Sequence, residues 1–408
     1  MDREELLMST CESNKPYTIN LWDWKTTNSV FHYKNGSSIS PHLIAQLGND
    51  YIIGGNIKEP KLYLWQYNNQ EPLKKFRLIL PEIASCLNVC PRGYYLAAGI
   101  KTDLYIWQLG SGKLLTVQRK NYQPITVVKF STCGDFLIVG GQDGIINTYK
   151  FVDLVCLNKN SLAQSNIGQT EPLYTRDHHN YPITDIHVGN FGRKSRFATC
   201  SIDQTVKIYE LFTGKLLLNL VFQNAVHSVI FDAPCWNLYV GCSNGVLQMF
   251  KLTDPPREVN HHVDKNLIFE GHKKSVKCLC LNLSENILAS GDDDGLILIW
   301  EISSRQVLKK IEQNSPITNL RFILNHKNIL SQEFKVTTAL RDLEMQIDLN
   351  ETNFPVTIIQ SVDVENPDEQ CLEEQKHSKM KLEQENEYLR ATNQHLYQYA
   401  LQLLQNKT

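Results

Sequence analysis

The sequence lacks several features that would assign a chain to a class at once. No run of about 18 uninterrupted apolar residues occurs, so we expect no membrane-spanning helix. The segment MDREELLMSTCES begins acidic and has no apolar stretch typical of a signal peptide, so we expect no secretion. The formal net charge is −2, and no basic stripe interleaved with aromatics occurs. Both observations argue against broad electrostatic capture of nucleic acid, and RNA contact is expected to be incidental.

Motifs of enzymatic chemistry are also missing. GxSxG, HExxH and GxxxxGK[ST] do not occur. The eleven cysteines include no CxxC pair, which favours free thiols in a reducing compartment over zinc ligands. The pairs His178–His179 and His261–His262 have no third ligand at a defined spacing, so we interpret them as solvated loop histidines. The sequence therefore predicts a protein that is not an enzyme and has no metal and no cofactor.

What the chain does have is a repeated pattern, an alternating apolar run that ends in an aromatic residue. The aligned aromatics are Trp22, Trp65, Trp107, Tyr149, Tyr209, Phe250 and Trp300. They are separated by 43, 42, 42, 60, 41 and 50 residues. A period of about 40–45 residues is typical of four-stranded propeller blades, and the two long gaps contain polar insertions.

Each aromatic follows a strand-like run rich in small residues and a tight turn, as in YLAAGI, FLIVGGQDG and ILASGDDDG. Helical periodicity is nearly absent before residue 370. The first unit begins in mid-blade, so we expect residues 316–323 to supply its missing inner strand and to close a ring formed by residues 1–325.

The seventh unit, GHKKSVKCLCLNLSENILASGDDDGLILIWEI, resembles a WD40 repeat. This resemblance implies an all-β, seven-bladed WD40 β-propeller. It also implies a hydrogen-bonded blade tetrad, formed by His272, Ser290, Asp294 and Trp300. Asp143 and Asp203 keep the turn carboxylate in two other units, but the Gly-His of the signature is missing there. The triple Asp292–Asp294 is interpreted as turn chemistry and part of this tetrad, in preference to a cation site.

The rest of the chain changes in character. From Arg341 onwards there are 13 acidic and 6 basic residues, so the part before it carries a net charge of +5. Residues 326–369 form either an acidic strap across the disc or a loose linker, and the sequence leaves both open. Residues 370–405 carry leucines at intervals of seven, with Asn between them, which predicts a coiled-coil helix. Its interface residues are Leu382, Asn386, Leu389, Asn393, Leu396 and Leu403. Self-pairing and docking on another protein both remain open.

The combination of HHNYPITDIHVGNFG, RFATCSIDQTVKIYELFTGKLLL and the tail LRATNQHLYQYALQL resembles the family of WD-repeat-containing protein 18, the WD40 subunit of the rixosome. The resemblance implies a non-catalytic scaffold subunit of a nuclear complex, required for maturation of the pre-60S particle and for processing of an rRNA internal transcribed spacer. It implies as partners a helical-repeat scaffold, a further large subunit, the midasin ATPase and pre-60S particles. The implied location is the nucleolus and nucleoplasm, with the cytoplasm left open.

An alternative reading is a WD40 substrate receptor of a cullin ubiquitin ligase. Such a receptor is expected to carry a WDxR signature at its blade ends, and no WDxR occurs in this sequence. The alternative stays open, because the absence of one motif does not exclude it.

Overall fold

The computed structural model describes residues 5–12, 17–36, 38–155, 170–253, 259–263 and 267–325, with residues 329, 338 and 340–345. These residues form seven small sheets with mostly antiparallel pairing, and together the sheets make a seven-bladed β-propeller. The predicted all-β propeller is thus confirmed. The predicted coiled-coil helix, with all six of its interface residues, lies outside the described residues.

The strands follow the chain from blade to blade. Blade one contains β1 (Glu5–Cys11), β2 (Tyr17–Trp22) and β3 (Ser29–Lys34), and blade two contains β4 (Ile44–Leu47), β5 (Tyr51–Gly55) and β6 (Leu62–Gln66). Blade three contains β7 (Cys86–Val89), β8 (Tyr95–Ile100), β9 (Asp103–Gln108) and β10 (Leu114–Gln118). Blade four contains β11 (Ile125–Phe130), β12 (Phe136–Gly141), β13 (Ile146–Lys150), the short helix α1 (Phe151–Val155) and β14 (Tyr174–Arg176).

The remaining blades follow the same order. Blade five contains β15 (Ile183–Val188), a 3-10 turn (Gly192–Lys194), β16 (Arg196–Ser201), β17 (Thr205–Glu210) and β18 (Leu216–Val221). Blade six contains β19 (Val226–Phe231), β20 (Asn237–Cys242) and β21 (Leu247–Lys251), followed by β22 (Asn260–His262) and β23 (Ile268–Phe269). Blade seven contains β24 (Val276–Leu281), β25 (Ile287–Asp292), β26 (Leu296–Glu301) and β27 (Gln306–Glu312), and β28 (Ile317–Leu324) comes last.

The last strand closes the ring. β28 pairs antiparallel with β1, with Glu5 opposite Leu324 and Leu7 opposite Phe322. The strand order in this sheet is β28-β1-β2-β3, so the carboxyl-terminal strand is the innermost strand of the blade that holds the amino-terminal strands. Closure of this kind leaves no open edge between the first blade and the last.

Two blades depart from the four-stranded plan. Blade two has three strands in its sheet, β4-β5-β6. Blade five has a fifth strand, because β22 from the long connection of blade six pairs parallel with β18. The interpretation of His261 and His262 as solvated loop histidines is therefore wrong about the loop, whereas His262 is exposed to solvent as expected. Both lie in β22, where backbone pairing with Leu220 and Val221 holds them, and the His261 ring contacts Phe250 at 5.6 Å between centroids.

The core lies between neighbouring blades and is built from the repeated aromatic positions. Trp65, Trp107 and Trp300 are almost completely buried. The Trp300 ring meets Phe269 of the preceding blade edge-on, at 5.6 Å between centroids. A Cβ atom at Gly271 would lie 2.8 Å from the Trp300 ring, so glycine is required beside His272 for the two blades to pack. Burial of these large rings supplies much of the interblade cohesion.

Candidate interaction surface

The hydrogen-bond network of blade seven runs through four buried side chains. Trp300 Nε1 donates to Ser290 Oγ at 2.8 Å, and Ser290 Oγ is 2.7 Å from His272 Nε2. His272 Nδ1 is 2.8 Å from Asp292 Oδ2. A neutral imidazole that donates from Nδ1 and accepts at Nε2 satisfies every group in this chain of bonds. A fully satisfied buried network of this kind fixes one arrangement of the blade.

The carboxylate of this network is Asp292, and the expected Asp294 is wrong. Asp292 ends β25 and is buried, and its Oδ1 accepts from the backbone N–H groups of Asp294 and Leu296, at 3.1 and 2.8 Å. One carboxylate thus organises the turn with one oxygen and holds His272 with the other. Asp294 lies within the turn, where its side chain is exposed.

A second network occurs in blade five, where the sequence predicted only a turn carboxylate and two solvated histidines. That interpretation of His179 is wrong, because its side chain is buried. His179 Nδ1 is 2.8 Å from Asp203 Oδ2, and His179 Nε2 is 2.8 Å from Thr199 Oγ1. The neighbouring His178 stacks on Tyr209 with an angle of 2° between the rings. His179 therefore holds blade five together, whereas His178 is exposed to solvent as expected.

The electrostatics of this pair follow from burial and hydrogen bonding. Burial lowers the pKa of His179, against the opposing effect of Asp203. Burial by itself would raise the pKa of Asp203, but hydrogen bonds from His179 and Thr205 outweigh it and hold that pKa well below its usual range. The network therefore contains an ionised Asp203 whose Oδ2 accepts a hydrogen bond from Nδ1–H of the neutral His179 ring.

A spacing signal could have identified His179. His272 precedes the aromatic that ends its blade by 28 residues, and His179 precedes Tyr209 by 30 residues. The glycine before the histidine, which identified blade seven, is replaced by His178 in blade five.

The centre of the ring is crossed by His42. His42 has a left-handed backbone φ of 59°, and its backbone N–H donates to Asn319 Oδ1 at 2.8 Å. Its Nε2 donates to the carbonyl of Thr184 in blade five at 2.9 Å, and its Nδ1 lies 3.9 Å from Asp185. A side chain from the start of blade two thereby ties opposite parts of the ring together.

Part of the acidic segment contacts blades two and three. Thr338 N–H donates to Asp50 Oδ2 at 2.7 Å, and Trp107 Nε1 donates to the carbonyl of Glu344 at 2.8 Å. Arg77 N–H donates to Asp342 Oδ1 at 2.8 Å, and Glu344 N–H donates to the Gly112 carbonyl at 2.8 Å. Leu340 and Leu343 are buried against the core of the first three blades. The described residues between 338 and 345 thus form an ordered strap, which we call the 338–345 strap.

The two faces of the disc carry different connections. One face, which we call the lower face, carries the turns between the first and second strands of the blades and, where a fourth strand is present, those between the third and fourth strands. Successive lower-face turns touch around the ring. Thr132 Oγ1 donates to the Gly189 carbonyl at 3.2 Å, Ala233 N–H donates to Glu285, and Leu283 N–H donates to Glu5 Oε1 at 2.9 Å. The opposite face is called the upper face.

Large apolar side chains are exposed on the lower face. They are Tyr94, Val152, Phe191, Phe212, Trp236 and Leu283. Leu283 is 66% exposed, and it borders a pocket of about 590 Å³ that is also lined by Trp24 and Lys25. A group of exposed apolar side chains of this kind marks a candidate interaction surface.

Within the described ranges, no group of three or more His, Cys, Asp or Glu side chains could hold a metal ion. Burial raises the pKa of the thiols at Cys86 and Cys242 to about 12, so these thiols stay protonated and act as small core residues. No helix in the described part of the chain is long and apolar enough to cross a membrane.

Comparison with known proteins gives the family. Residues 112–150, 170–210 and 264–301 match the WD40 family, described as WD domain, G-beta repeat. The crystal structure of a computationally designed protein, Ika8, shares the fold with a TM-score of 0.53 and 17% identity, covering 78% of this chain and 91% of the designed chain.

Two sequence relatives extend over most of the chain. Pre-rRNA-processing protein crb3/ipi3 of Schizosaccharomyces pombe is 26% identical over 350 residues, covering 78% of this chain and 77% of that protein. WD repeat-containing protein 18 of Danio rerio is 30% identical over 325 residues, covering 78% of this chain and 73% of that protein. With this identity over most of both chains, the chain belongs to the WD repeat-containing protein 18 family.

Proposed function

We propose that this chain is a non-catalytic WD40 scaffold subunit of a nuclear complex required for pre-60S ribosome maturation and for processing of an rRNA internal transcribed spacer. The observation that carries the proposal is its likeness to a protein named for pre-rRNA processing, over 78% of the chain. The disc supports it, because a rigid ring that exposes large apolar side chains on its lower face suits protein–protein contact.

In this proposal three parts of the chain have separate roles. The propeller of residues 1–325 binds a helical-repeat scaffold, a further large subunit, the midasin ATPase and the pre-60S particle. Residues 326–369 connect the propeller to the tail. The coiled-coil helix of residues 370–405 pairs two copies of the chain through its leucine and asparagine positions. The complex acts in the nucleolus and nucleoplasm.

Leu283 is the lower-face residue best suited to anchor a protein partner. It is two-thirds exposed, aliphatic, and borders the pocket beside Trp24. Buried apolar anchors that fill pockets supply most of the affinity at protein interfaces. A charged residue at position 283 would remove the anchor and leave the blade intact.

Affinity purification of the tagged full-length chain from nuclear extract tests the function, with co-purifying proteins identified by mass spectrometry. We expect the helical-repeat scaffold, midasin and large-subunit ribosomal proteins, and we expect L283R to lose them. The matched control is L308R, since Leu308 is also exposed but lies on β27 at the outer edge of blade seven. Recovery of a cullin adaptor without ribosomal proteins would overturn the proposal in favour of a ubiquitin-ligase receptor.

A further inference from the structure

Three exposed aromatic side chains meet on the lower face of blades five and six. Phe191 is in the first turn of blade five, Phe212 is in the third turn of the same blade, and Trp236 is in the first turn of blade six, with exposures of 56%, 50% and 60%. No other large hydrophobic residue of these three turns is exposed. The exposed apolar surface of these turns is therefore aromatic only.

Contacts between the turns place these aromatics on one continuous surface. Leu211 N–H, beside Phe212, donates to the Ser195 carbonyl at 2.9 Å, which joins the two turns of blade five. A Cβ atom at Gly189 would lie 2.4 Å from Cys235 Sγ, so the first turns of blades five and six are in direct contact. Phe212 also meets Phe136 of blade four edge-on, at 6.4 Å between ring centroids.

Three cations share this surface without a carboxylate partner. Lys194, Arg196 and Lys215 are exposed, and none of them lies within 4.0 Å of a carboxylate oxygen among the described residues. Arg193 is different, because its Nε lies 3.4 Å from Asp135 Oδ2. The three aromatics and three unpaired cations together form what we call the aromatic–basic surface: Phe191, Lys194, Arg196, Phe212, Lys215 and Trp236.

The surroundings of Tyr122 on the upper face show a different charge arrangement. Tyr122 and Tyr181 are exposed there. The cations beside Tyr122 are neutralised, because Lys120 lies 2.6 Å from Glu171, Arg119 lies 3.3 Å from Asp103, and Lys101 lies 2.6 Å from Glu82. Exposed aromatics therefore occur on both faces, and on the lower face of blades five and six three of them lie together with three unpaired cations, an arrangement suited to an anion that carries flat rings.

We infer that the aromatic–basic surface binds single-stranded RNA. A nucleotide strand repeats a flat base and a phosphate, which match an exposed ring and an unpaired cation. The sequence shows no such stripe, because the aromatics come from three turns that the fold brings together. The choice of RNA over single-stranded DNA rests on the proposed function, whereas the stacking and charge arguments do not depend on it.

Fluorescence anisotropy of a labelled oligouridylate of about 15 nucleotides with the purified full-length chain tests this inference. We expect W236A to weaken binding about tenfold, because each base–aromatic stack contributes on that order. The double variant K194A/R196A should also weaken binding and should lower the slope of log K against log salt by about 1.4, since each phosphate contact on a single strand contributes about 0.7.

Two controls match these changes. Y122A removes an exposed aromatic from the upper face, and K309A/K310A removes two exposed lysines from the outer edge of blade seven. Both should bind RNA like the parent chain. The inference is overturned if the parent chain does not bind the oligonucleotide, or if the controls and the surface variants bind equally. It is also overturned if polyglutamate binds at least as tightly and W236A leaves RNA binding unchanged, which would indicate an acidic protein ligand.

The RNA measurement needs no partner protein. If the purified chain does not bind RNA, the co-purification test of the proposed function is therefore unaffected. Conversely, a chain that binds RNA through Trp236 but recovers no ribosomal proteins would retain this inference and lose that function.

Discussion

Asp292 and Asp294 lie two residues apart in one turn but have different environments. Asp292 is buried against His272, whereas Asp294 is exposed. We expect Asp292→Ala to lower the free energy of unfolding by about 1–3 kcal/mol, because it leaves the buried His272 ring without its hydrogen-bond acceptor. Asp294→Ala should leave the thermal midpoint within error. Circular dichroism melting of the two variants measures the difference, and equal midpoints would contradict the assignment of Asp292 to the network.

A second prediction at the residue scale concerns pH and His187, which lines the centre of the ring on β15. Burial lowers the pKa of His187 to about 4, helped by Lys129 and opposed by Asp185. Its Nδ1 accepts from the Phe231 N–H at 3.2 Å, which requires the neutral ring. An unfolded histidine titrates near 6.5, so the folded state binds fewer protons below that pH. The stability contributed by neutral His187 is therefore present above pH 6.5 and is lost as the pH falls towards about 4.

Thermal unfolding at about pH 7 and about pH 5 tests whether stability falls with pH as expected. The midpoint of the parent chain should fall on acidification, and H187N should show a smaller fall, because Asn keeps an acceptor for Phe231 and does not titrate. Parallel pH curves for the two proteins would show that His187 does not carry the effect.

At the scale of elements, the 338–345 strap is held by a glycine. Gly112 has a left-handed φ of +77°, and a Cβ atom there would lie 1.9 Å from the Asp342 carbonyl oxygen. We expect Gly112→Ala to displace the strap and to expose Leu340 and Leu343. Trypsin should then cleave after the exposed Arg341 faster than in the parent chain.

Gly93 provides the matched control for the strap. Its φ of +76° imposes the same backbone cost on alanine, but the nearest atom to a Cβ there is Leu47 Cδ1 at 3.4 Å. Gly93→Ala should therefore leave the cleavage rate after Arg341 unchanged. Equal cleavage in both variants would mean that the contact between Gly112 and Asp342 does not hold the strap.

The carboxyl-terminal helix is tested separately. Leu389 and Leu396 occupy successive positions of the predicted leucine layer. The double substitution L389A/L396A should abolish self-association and leave the propeller folded, because no propeller strand is altered. Sedimentation equilibrium measures the mass of the parent chain and of the variant in solution. Equal masses would contradict self-pairing through this helix.

Elements differ in how far the sequence predicts them. The blade strands were predictable because each depends on local alternation, a tight turn and an aromatic end. β22 was not, since its partner β18 lies 41 residues away and belongs to another blade. The same reason applies to the strap, whose leucines pack against blades two and three. At the residue scale, Asp292 was missed because three consecutive aspartates fit the same turn, and only the fold shows which one faces His272.

At the scale of the whole molecule, strand pairing closes the ring, whereas the turns between strands form the surface of its lower face. The ring follows from pairing between β28 and β1, which unites the two ends of the propeller sequence. The lower face follows from the turns, and its Leu283 and Trp236 side chains are more exposed than buried. The interior stabilises the ring, and the exposed apolar side chains of the lower face are available for contact with a partner.

The measurement that tests the central claim most directly is hybridisation of pre-rRNA after depletion of this chain from its own cells, with a probe against the internal transcribed spacer between the 5.8S and 28S rRNAs. Precursors that retain the spacer should accumulate, and re-expression of the parent chain or L308R should clear them, whereas L283R should not. Unchanged precursor levels after depletion would contradict a role of this propeller in pre-60S maturation.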